Sequence, residues 1–159
     1  MSVATNSVRK ADGQTLLKRA RARAKNSADP FAGTVCPKEA WTLFDAGEAV
    51  LVDVRTEEEL AFVGRVPQAI HVPWATWPGM RSNPDFVGDL EDEVDDKSTP
   101  VLFLCRSGQR SAAAAAAAAA AGYEHAYNVA EGFEGNLDDD KHRGTGSGWR
   151  FHGLPWEQS

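Results

Sequence analysis

The chain has 159 residues and a mass of 17.2 kDa, which suits one domain built around a single hydrophobic core. No uncharged apolar run approaches the roughly 20 residues that a membrane span needs, and two cysteines are too few for a disulfide scaffold. The net charge is −6, and because residues 1–30 are basic, the remaining chain is more acidic still, which argues against nucleic acid as a partner.

The first predicted element is a short basic helix over Gln14–Lys25. Its apolar residues recur at roughly helical spacing: Leu16, Leu17, Ala20 and Ala24. The helix is expected to end before Pro30, because proline cannot continue it. An arginine-rich, acid-poor segment of this kind fits a transit peptide or a basic arm for an acidic partner. The alternative, which we favour, is a helix that docks on the domain through Leu16 and Leu17 with its basic face in water.

Beyond residue 32, short strand-like runs alternate with helical runs. The predicted strands are Thr34–Cys36, Ala49–Val54, Ala69–Val72, Pro100–Leu104 and Tyr127–Val129. The predicted helices are Lys38–Ala46, one capped by Thr56 with Glu57–Glu59 in its first turn, Asn83–Val94 and Ser111–Ala121. Such alternation predicts an α/β fold with a mostly parallel sheet. We therefore divide the chain into an N-terminal extension, residues 1–32, and one domain, residues 33–159.

Cys105 is the residue with the strongest chemical signal, because it stands at the carboxyl end of the most strand-like run. In open α/β sheets, ligands bind at this edge. The segment after it holds a glycine, two arginines and three other polar residues: Arg106, Ser107, Gly108, Gln109, Arg110 and Ser111. Gly108 allows successive backbone N–H groups to turn inward and form an anion-binding nest. The sequence therefore predicts Cys105 as the catalytic nucleophile and residues 106–111 as its substrate-binding loop.

Three features favour the thiolate form of Cys105: the nest, the N-terminus of the following helix, and the charges of Arg106 and Arg110. The alternative is a buried, inert cysteine, which is common for this residue type but does not need two arginines and a glycine around it. For Cys36, a structural cysteine at the start of a strand is the favoured interpretation, and a resolving thiol for Cys105 is the alternative.

Several segments resemble the rhodanese-domain sulfurtransferases. Cys105–Ser111, which follows Val101–Leu104, is similar to the active-site loop of that family. Further similar segments, in the family's order, are Leu51–Arg55 with Glu57–Leu60, Gly64–Pro73, Asn128–Val129 with Glu131–Phe133, and Gly153–Pro155. The resemblance covers roughly residues 34–156. It implies a rhodanese-like fold: a five-stranded parallel sheet flanked by helices on both faces, here with a basic N-terminal helix in addition.

The sequence departs from that family at a few positions. Arg65 stands where histidine is usual and Gln68 where glycine is usual, although neither position carries the sulfur chemistry. Glu59 stands where the two-domain thiosulfate enzymes have a second arginine near the substrate. Their thiosulfate site is therefore not fully carried over.

Three residues outside the loop are predicted to support it. Asp53 and Arg55 are expected to hold the catalytic loop in place, and Glu59 is expected to pair with Arg110. Residues 136–148 have the composition of an exposed insertion loop. No histidine pair or Cys-x-x-Cys motif indicates a metal site.

The resemblance implies that Cys105 takes the outer sulfur of thiosulfate or a related small anion and holds it as a persulfide. Cyanide, a thiol or a protein would then accept the sulfur, with no metal and no organic cofactor. A cysteine phosphatase or arsenate reductase is a rival, but four residues separate Cys105 from Arg110, whereas the related phosphatases have five. A non-catalytic module that binds a protein is a third interpretation. We predict a cytoplasmic sulfurtransferase without a nucleic-acid or membrane partner.

Overall fold

A computed structural model describes the backbone of residues 2–159 and the side chains of residues 13–159. Its helices are α1 (Ser2–Ser27), α2 (Pro37–Asp45), α3 (Glu57–Phe62), α4 (Phe86–Glu93) and α5 (Gln109–Ala120). Its strands are β1 (Gly33–Val35), β2 (Val50–Asp53), β3 (Ile70–His71), β4 (Ala75–Thr76), β5 (Arg81–Ser82), β6 (Val101–Leu104) and β7 (Ala126–Val129).

Five of these strands form one parallel sheet in the order β1-β7-β6-β2-β3. Every residue of β6 and β7 is buried, because apolar side chains on both faces of the central strands are covered. Continuous apolar strands of this kind are typical of parallel sheets with helices on both sides. The prediction of an α/β fold with a five-stranded parallel sheet is confirmed.

Helices cover both faces of the sheet. One core cluster joins α1 and α2 to the sheet and includes Leu17, Ala40, Leu43, Leu51 and Leu102. The other joins α4 and α5 to the opposite face and includes Phe86, Leu90, Ala115, Ala118 and Phe103. Because the inner residues of α5 are alanines, this helix packs closely on the sheet while retaining the strongest helix propensity.

Helix α1 is longer than predicted, since it begins at Ser2 rather than at Gln14. Gly13, which weakens the helix pattern in the sequence, is buried in this helix. A Cβ at this position would lie 3.2 Å from Cγ of Glu48 and 3.5 Å from Leu43. The glycine therefore allows close packing of the helix on the α2–β2 connection. Helix propensity depends on the residue type alone and takes no account of this tertiary contact.

Helix α1 docks on the domain, as the favoured interpretation expected. Leu17 is in the core, and Leu16 packs against it partly buried. The basic face, however, is not wholly in water, because Arg23 donates two hydrogen bonds to Glu39 of α2, at 2.7 and 3.0 Å. The division of the chain at residue 32 stays a prediction.

The connection between β3 and α4 contains an antiparallel hairpin, β4–β5, that the sequence analysis did not predict. Its strands have two residues each, which is too short for an alternating pattern to show. The turn of this hairpin carries Trp77 and Met80, whose side chains are exposed. The following helix begins at Phe86 instead of Asn83, and the backbone N–H of Asn83 donates to the carbonyl of Trp74 at 2.9 Å.

Residues 136–148 are mostly exposed, but the end of this loop is anchored in the core. Trp149 is fully buried, and its indole N–H donates to the carbonyl of Pro155 at 2.9 Å. Gly148 permits the close approach, because a Cβ there would lie 2.6 Å from the backbone nitrogen of Gly135.

Within the described residues, no group of three or more acidic, histidine or cysteine side chains could hold a metal ion. None of the described helices has the length and apolarity to cross a membrane.

Candidate active site

Cys105 lies directly after β6, at the carboxyl edge of the sheet, and is 1% exposed. The backbone N–H of Gly108 donates to its Sγ at 3.1 Å, and Oγ of Ser111 lies 3.2 Å from the same sulfur. Gly108 adopts φ 109°, a left-handed conformation that glycine reaches without steric cost, and it caps α5. The loop therefore curls at the sulfur with one backbone donor, the Gly108 N–H, in place, and its role in binding substrate stays a prediction.

A second turn, which the sequence analysis assigned no role, holds this loop from outside. The backbone N–H of Phe133 donates to the carbonyl of Cys105 at 2.8 Å, and that of Glu134 donates to the carbonyl of Arg106 at 3.0 Å. Gly132 has φ 69°, and a Cβ there would lie 2.4 Å from the carbonyl carbon of Arg106. Only glycine fits between the two turns, so Gly132 allows the turn to hold the backbone that follows Cys105.

Asn128 of β7 is a further residue of the site that the sequence analysis did not assign. Its Nδ2 donates to the carbonyl of Gly108 at 3.2 Å, which leaves its Oδ1 to accept from Ser111 at 2.6 Å. Ser111 has one hydroxyl proton and two neighbours, Asn128 and Cys105. With the proton toward Asn128, the serine oxygen can accept from the thiol, and with the proton toward Cys105 it supports a negative sulfur. Ser111 is thus placed to follow a change of charge on Cys105.

Arg110 and Glu59 form the predicted ion pair, with two hydrogen bonds of 2.7 and 2.9 Å. Glu59 is held in position because it also completes the capping box of α3 with Thr56. Burial acts to raise the pKa of Glu59, but the hydrogen bonds from Arg110 and Thr56 outweigh it and lower the pKa to about 2. The same bond to Glu59 raises the pKa of Arg110. This pair ties the first turn of α5 to the first turn of α3.

The Arg110–Glu59 ion pair is expected to make the free energy of unfolding depend on pH. Since the pKa of Glu59 falls from 4.5 to about 2 on folding, the pair stabilises the fold above about pH 4.5 and loses its effect as the pH falls from 4.5 to 2. Between pH 5 and pH 3, wild type should lose about 1–2 kcal/mol more than Glu59→Gln. Urea unfolding at the two pH values measures this difference. Glu57→Gln, at an exposed neighbour, is the control, and an equal loss in wild type and Glu59→Gln would contradict the assignment.

The other loop side chains do not contact the sulfur. Arg106 and Gln109 are exposed, and Ser107 is half-buried. The guanidinium of Arg106 has no partner among the described side chains, although its carbonyl is held by Glu134. Arg106 is therefore an unpaired, exposed cation whose backbone carbonyl is hydrogen-bonded.

Asp53 and Arg55 form a buried pair, with a hydrogen bond of 2.7 Å from Nη2 to Oδ2 and further bonds through Nε. Arg55 also donates to the carbonyl of Gly64 at 2.8 Å, and its guanidinium lies 4.3 Å from the ring centre of Phe133. The backbone N–H of Phe133 in turn donates to the carbonyl of Cys105. These contacts connect the pair to the catalytic loop, and its supporting role stays a prediction.

Cys36 follows β1 and caps the N-terminus of α2, so the expected position at the start of a strand is wrong. Both cysteines are free thiols. Burial raises the pKa of Cys36, which makes its thiol a weaker nucleophile near neutral pH.

Similar proteins share this architecture. The family model of the Rhodanese-like domain matches residues 37–138. The crystal structure of Rv0390 from M. tuberculosis is 46% identical with a TM-score of 0.73, over 81% of this chain and 99% of that chain. The uncharacterized protein RC0915 of Rickettsia conorii is 36% identical, over 77% of this chain and 95% of the relative. The thiosulfate sulfurtransferase GlpE of Actinobacillus succinogenes is 31% identical, over 77% of this chain and 88% of the relative.

Proposed function

The chain belongs to the rhodanese-like domain family, which includes sulfurtransferases, and from that premise we propose that it is a sulfurtransferase acting through a persulfide on Cys105. The observation that carries the proposal is the donor N–H of Gly108, 3.1 Å from Sγ, in a residue whose carbonyl accepts from Asn128 at 3.2 Å. A preorganised donor at a sulfur that gains and loses negative charge lowers the barrier of both transfer steps. The proposed donor is thiosulfate or a related small anion.

In the first step, the Cys105 thiolate attacks the outer sulfur of thiosulfate. A bond forms between Sγ and that sulfur, the sulfur–sulfur bond of thiosulfate breaks, and its electron pair leaves with sulfite. The enzyme is left as the Cys105 persulfide. The Gly108 N–H and the Ser111 hydroxyl lie 3.1 and 3.2 Å from Sγ, so donors for the negative charge of the sulfur are in place before the reaction.

In the second step, an acceptor nucleophile attacks the outer sulfur of the persulfide. The electron pair of the breaking bond returns to Sγ and regenerates the thiolate. A thiol or protein acceptor leaves as its own persulfide, and cyanide leaves as thiocyanate. Two half-reactions on one covalent intermediate predict ping-pong kinetics.

The ion pair between Arg110 and Glu59 favours this chemistry over a phosphatase reaction. A phosphatase needs the arginine that closes its loop free to bind the oxygens of a phosphate group. Here one N–H of each terminal nitrogen of Arg110 already donates to Glu59, at 2.7 and 2.9 Å, so one bidentate edge of the guanidinium is used and a carboxylate lies beside it. A cytoplasmic place of action stays a prediction, as do a thiol or protein as the sulfur acceptor and the absence of nucleic-acid and membrane partners.

Thiosulfate treatment tests the proposal. Intact-protein mass spectrometry is expected to show a gain of one sulfur atom that a reducing thiol removes. Cys36→Ser should gain the same sulfur and keep most of the turnover, because one thiol performs both steps. Peptide mapping locates the added sulfur. Absence of any added sulfur with thiosulfate, polysulfide and organic sulfane donors alike would overturn the proposal, and sulfur confined to Cys36 would move it to the other cysteine.

A further inference from the structure

Residues 148–152, which follow the exposed loop, are hydrogen-bonded to the turn that holds the Cys105 loop, residues 131–133. The backbone N–H of Trp149 donates to the carbonyl of Gly132 at 2.8 Å, and that of Arg150 donates to the carbonyl of Phe133 at 3.3 Å. The same turn donates to the carbonyl of Cys105 through the N–H of Phe133. The turn therefore connects the Cys105 loop to residues 148–152.

Glu131 begins this turn in a backbone conformation that is rare for a residue with a side chain. Its φ is 68°, in the left-handed region, where the Cβ of an L-residue comes too close to a carbonyl oxygen. The adjacent Gly132 has a similar φ of 69° without that steric cost. A non-glycine residue keeps such a conformation only when the surrounding contacts hold it there.

The carboxylate of Glu131 supplies two of those contacts, both with residues 148–152. Its Oε1 accepts from the backbone N–H of Gly148 at 2.9 Å and lies 2.9 Å from Nε2 of His152. Because an ionised carboxylate only accepts hydrogen bonds, Nε2 of His152 carries the proton of this contact. The side chains of Glu131 and His152 are 27% and 22% exposed, so the pair is largely shielded from water.

The backbone of Glu131 lies against the residue that donates to the nucleophile. A Cβ built on Gly108 would lie 3.7 Å from the backbone nitrogen of Glu131, and the N–H of Gly108 is 3.1 Å from Sγ of Cys105. We propose that Glu131 is a positioning residue, because its bonds to residues 148–152 keep the turn in the shape that supports Gly108 beside the sulfur. This inference rests on the proposed function, since it concerns the thiolate that the transfer reaction uses.

Alkylation of Cys105 by iodoacetamide tests the proposal in a Cys36→Ser background, where one thiol remains. The rate at about pH 7 depends on how well the loop stabilises the thiolate, whereas the rate at about pH 10 depends on access, because a thiol is then ionised without help. Glu131→Ala is expected to lower the ratio of the first rate to the second by about three- to tenfold. The loss is partial, because Asn128 still donates to the carbonyl of Gly108.

Three further variants separate the two properties of Glu131, its conformation and its carboxylate. Glu131→Gln should restore most of the wild-type ratio, because the amide oxygen still accepts from the N–H of Gly148. Glu131→Gly should give a ratio between those of Glu131→Gln and Glu131→Ala, because glycine reaches φ 68° without steric cost but has no carboxylate. His152→Ala should lower the ratio less than Glu131→Ala, since the bond from Gly148 remains.

Two control variants test whether the effect is specific to the turn. Val94→Ala removes buried volume after α4, so it should lower the urea midpoint and leave the rate ratio unchanged. Glu124→Ala removes a carboxylate that lies 3.9 Å from a histidine ring, that of His125, at the opposite edge of the sheet. It is matched to Glu131→Ala in chemistry, and its ratio should also equal that of wild type.

The outcomes separate this inference from the proposed function, because alkylation needs no sulfur donor. If no donor places sulfur on Cys105 while Glu131→Ala lowers the rate ratio, the proposed function fails and the positioning role stands. Equal ratios in wild type, Glu131→Ala and His152→Ala overturn the positioning role. An equal fall in Val94→Ala and Glu131→Ala also overturns it, because the effect is then one of stability alone.

Discussion

Replacing Cys105 with serine is expected to reduce sulfur transfer to the uncatalysed rate. The hydroxyl oxygen stays protonated near neutral pH and forms no persulfide, so both half-reactions lose their intermediate. The measurement is steady-state turnover with thiosulfate or an organic thiosulfonate, together with the intact mass after donor treatment. No added sulfur should remain at position 105.

The fold of Cys105→Ser should survive, which makes the loss of activity interpretable. A serine oxygen keeps an acceptor for the Gly108 N–H and removes little volume from this buried position. The change in free energy of unfolding is expected to stay within about 1 kcal/mol. Cys36→Ser is the matched control for loss of a thiol. Turnover by a folded Cys105→Ser protein at the wild-type level would show that another group carries the sulfur.

Replacing Arg110 with alanine is expected to cost the most stability of the loop substitutions. The side chains of Arg110 and Glu59 are each 18% exposed, so the removal leaves a largely buried carboxylate without its partner. Loss of one partner costs about 3–5 kcal/mol in deep burial and far less at the surface. For this pair, which lies between those two limits, we expect about 2–3 kcal/mol. Urea unfolding at pH 7 measures it.

Arg106→Ala is the matched comparison, because it removes the same charge from an exposed side chain without a partner. Its stability should stay within about 0.5 kcal/mol of wild type, while KM for an anionic donor rises more than kcat falls. The double variant Glu59→Gln/Arg110→Ala completes a cycle that isolates the coupling of the pair. Equal stability losses in Arg110→Ala and Arg106→Ala would contradict a structural role for the ion pair.

The elements that could be predicted from the sequence are those whose signal is local. Val101–Leu104 is continuously apolar, and such a run is a buried parallel strand wherever helices cover both faces. Thr56 followed three residues later by Glu59 is a capping box that needs no distant partner. Cys105 was recognisable because the glycine and the arginines that surround it are its neighbours in the chain.

The parts of the site that were missed are contributed by distant segments. Asn128 lies in β7 and contacts the loop through Ser111 and the Gly108 carbonyl. Gly132 is required by the backbone of Arg106, which approaches only after β7 has paired with β6. A glycine or an asparagine near a strand end is common, and nothing in the adjacent residues distinguishes these two.

The strands, the capped helix and the Cys105 loop could therefore be predicted from the sequence, because short-range hydrogen bonds and side-chain periodicity determine them within a few residues. The lining of the open cavity of about 480 Å³ beside this loop could not be predicted, because Glu58, Arg106 and Glu134 lie far apart in the chain and line one cavity only in the folded protein. The docking of Arg55 on Phe133 is another such contact. Electrostatic and packing energies depend on distance in space, and the spatial neighbours of these residues are set by the strand order.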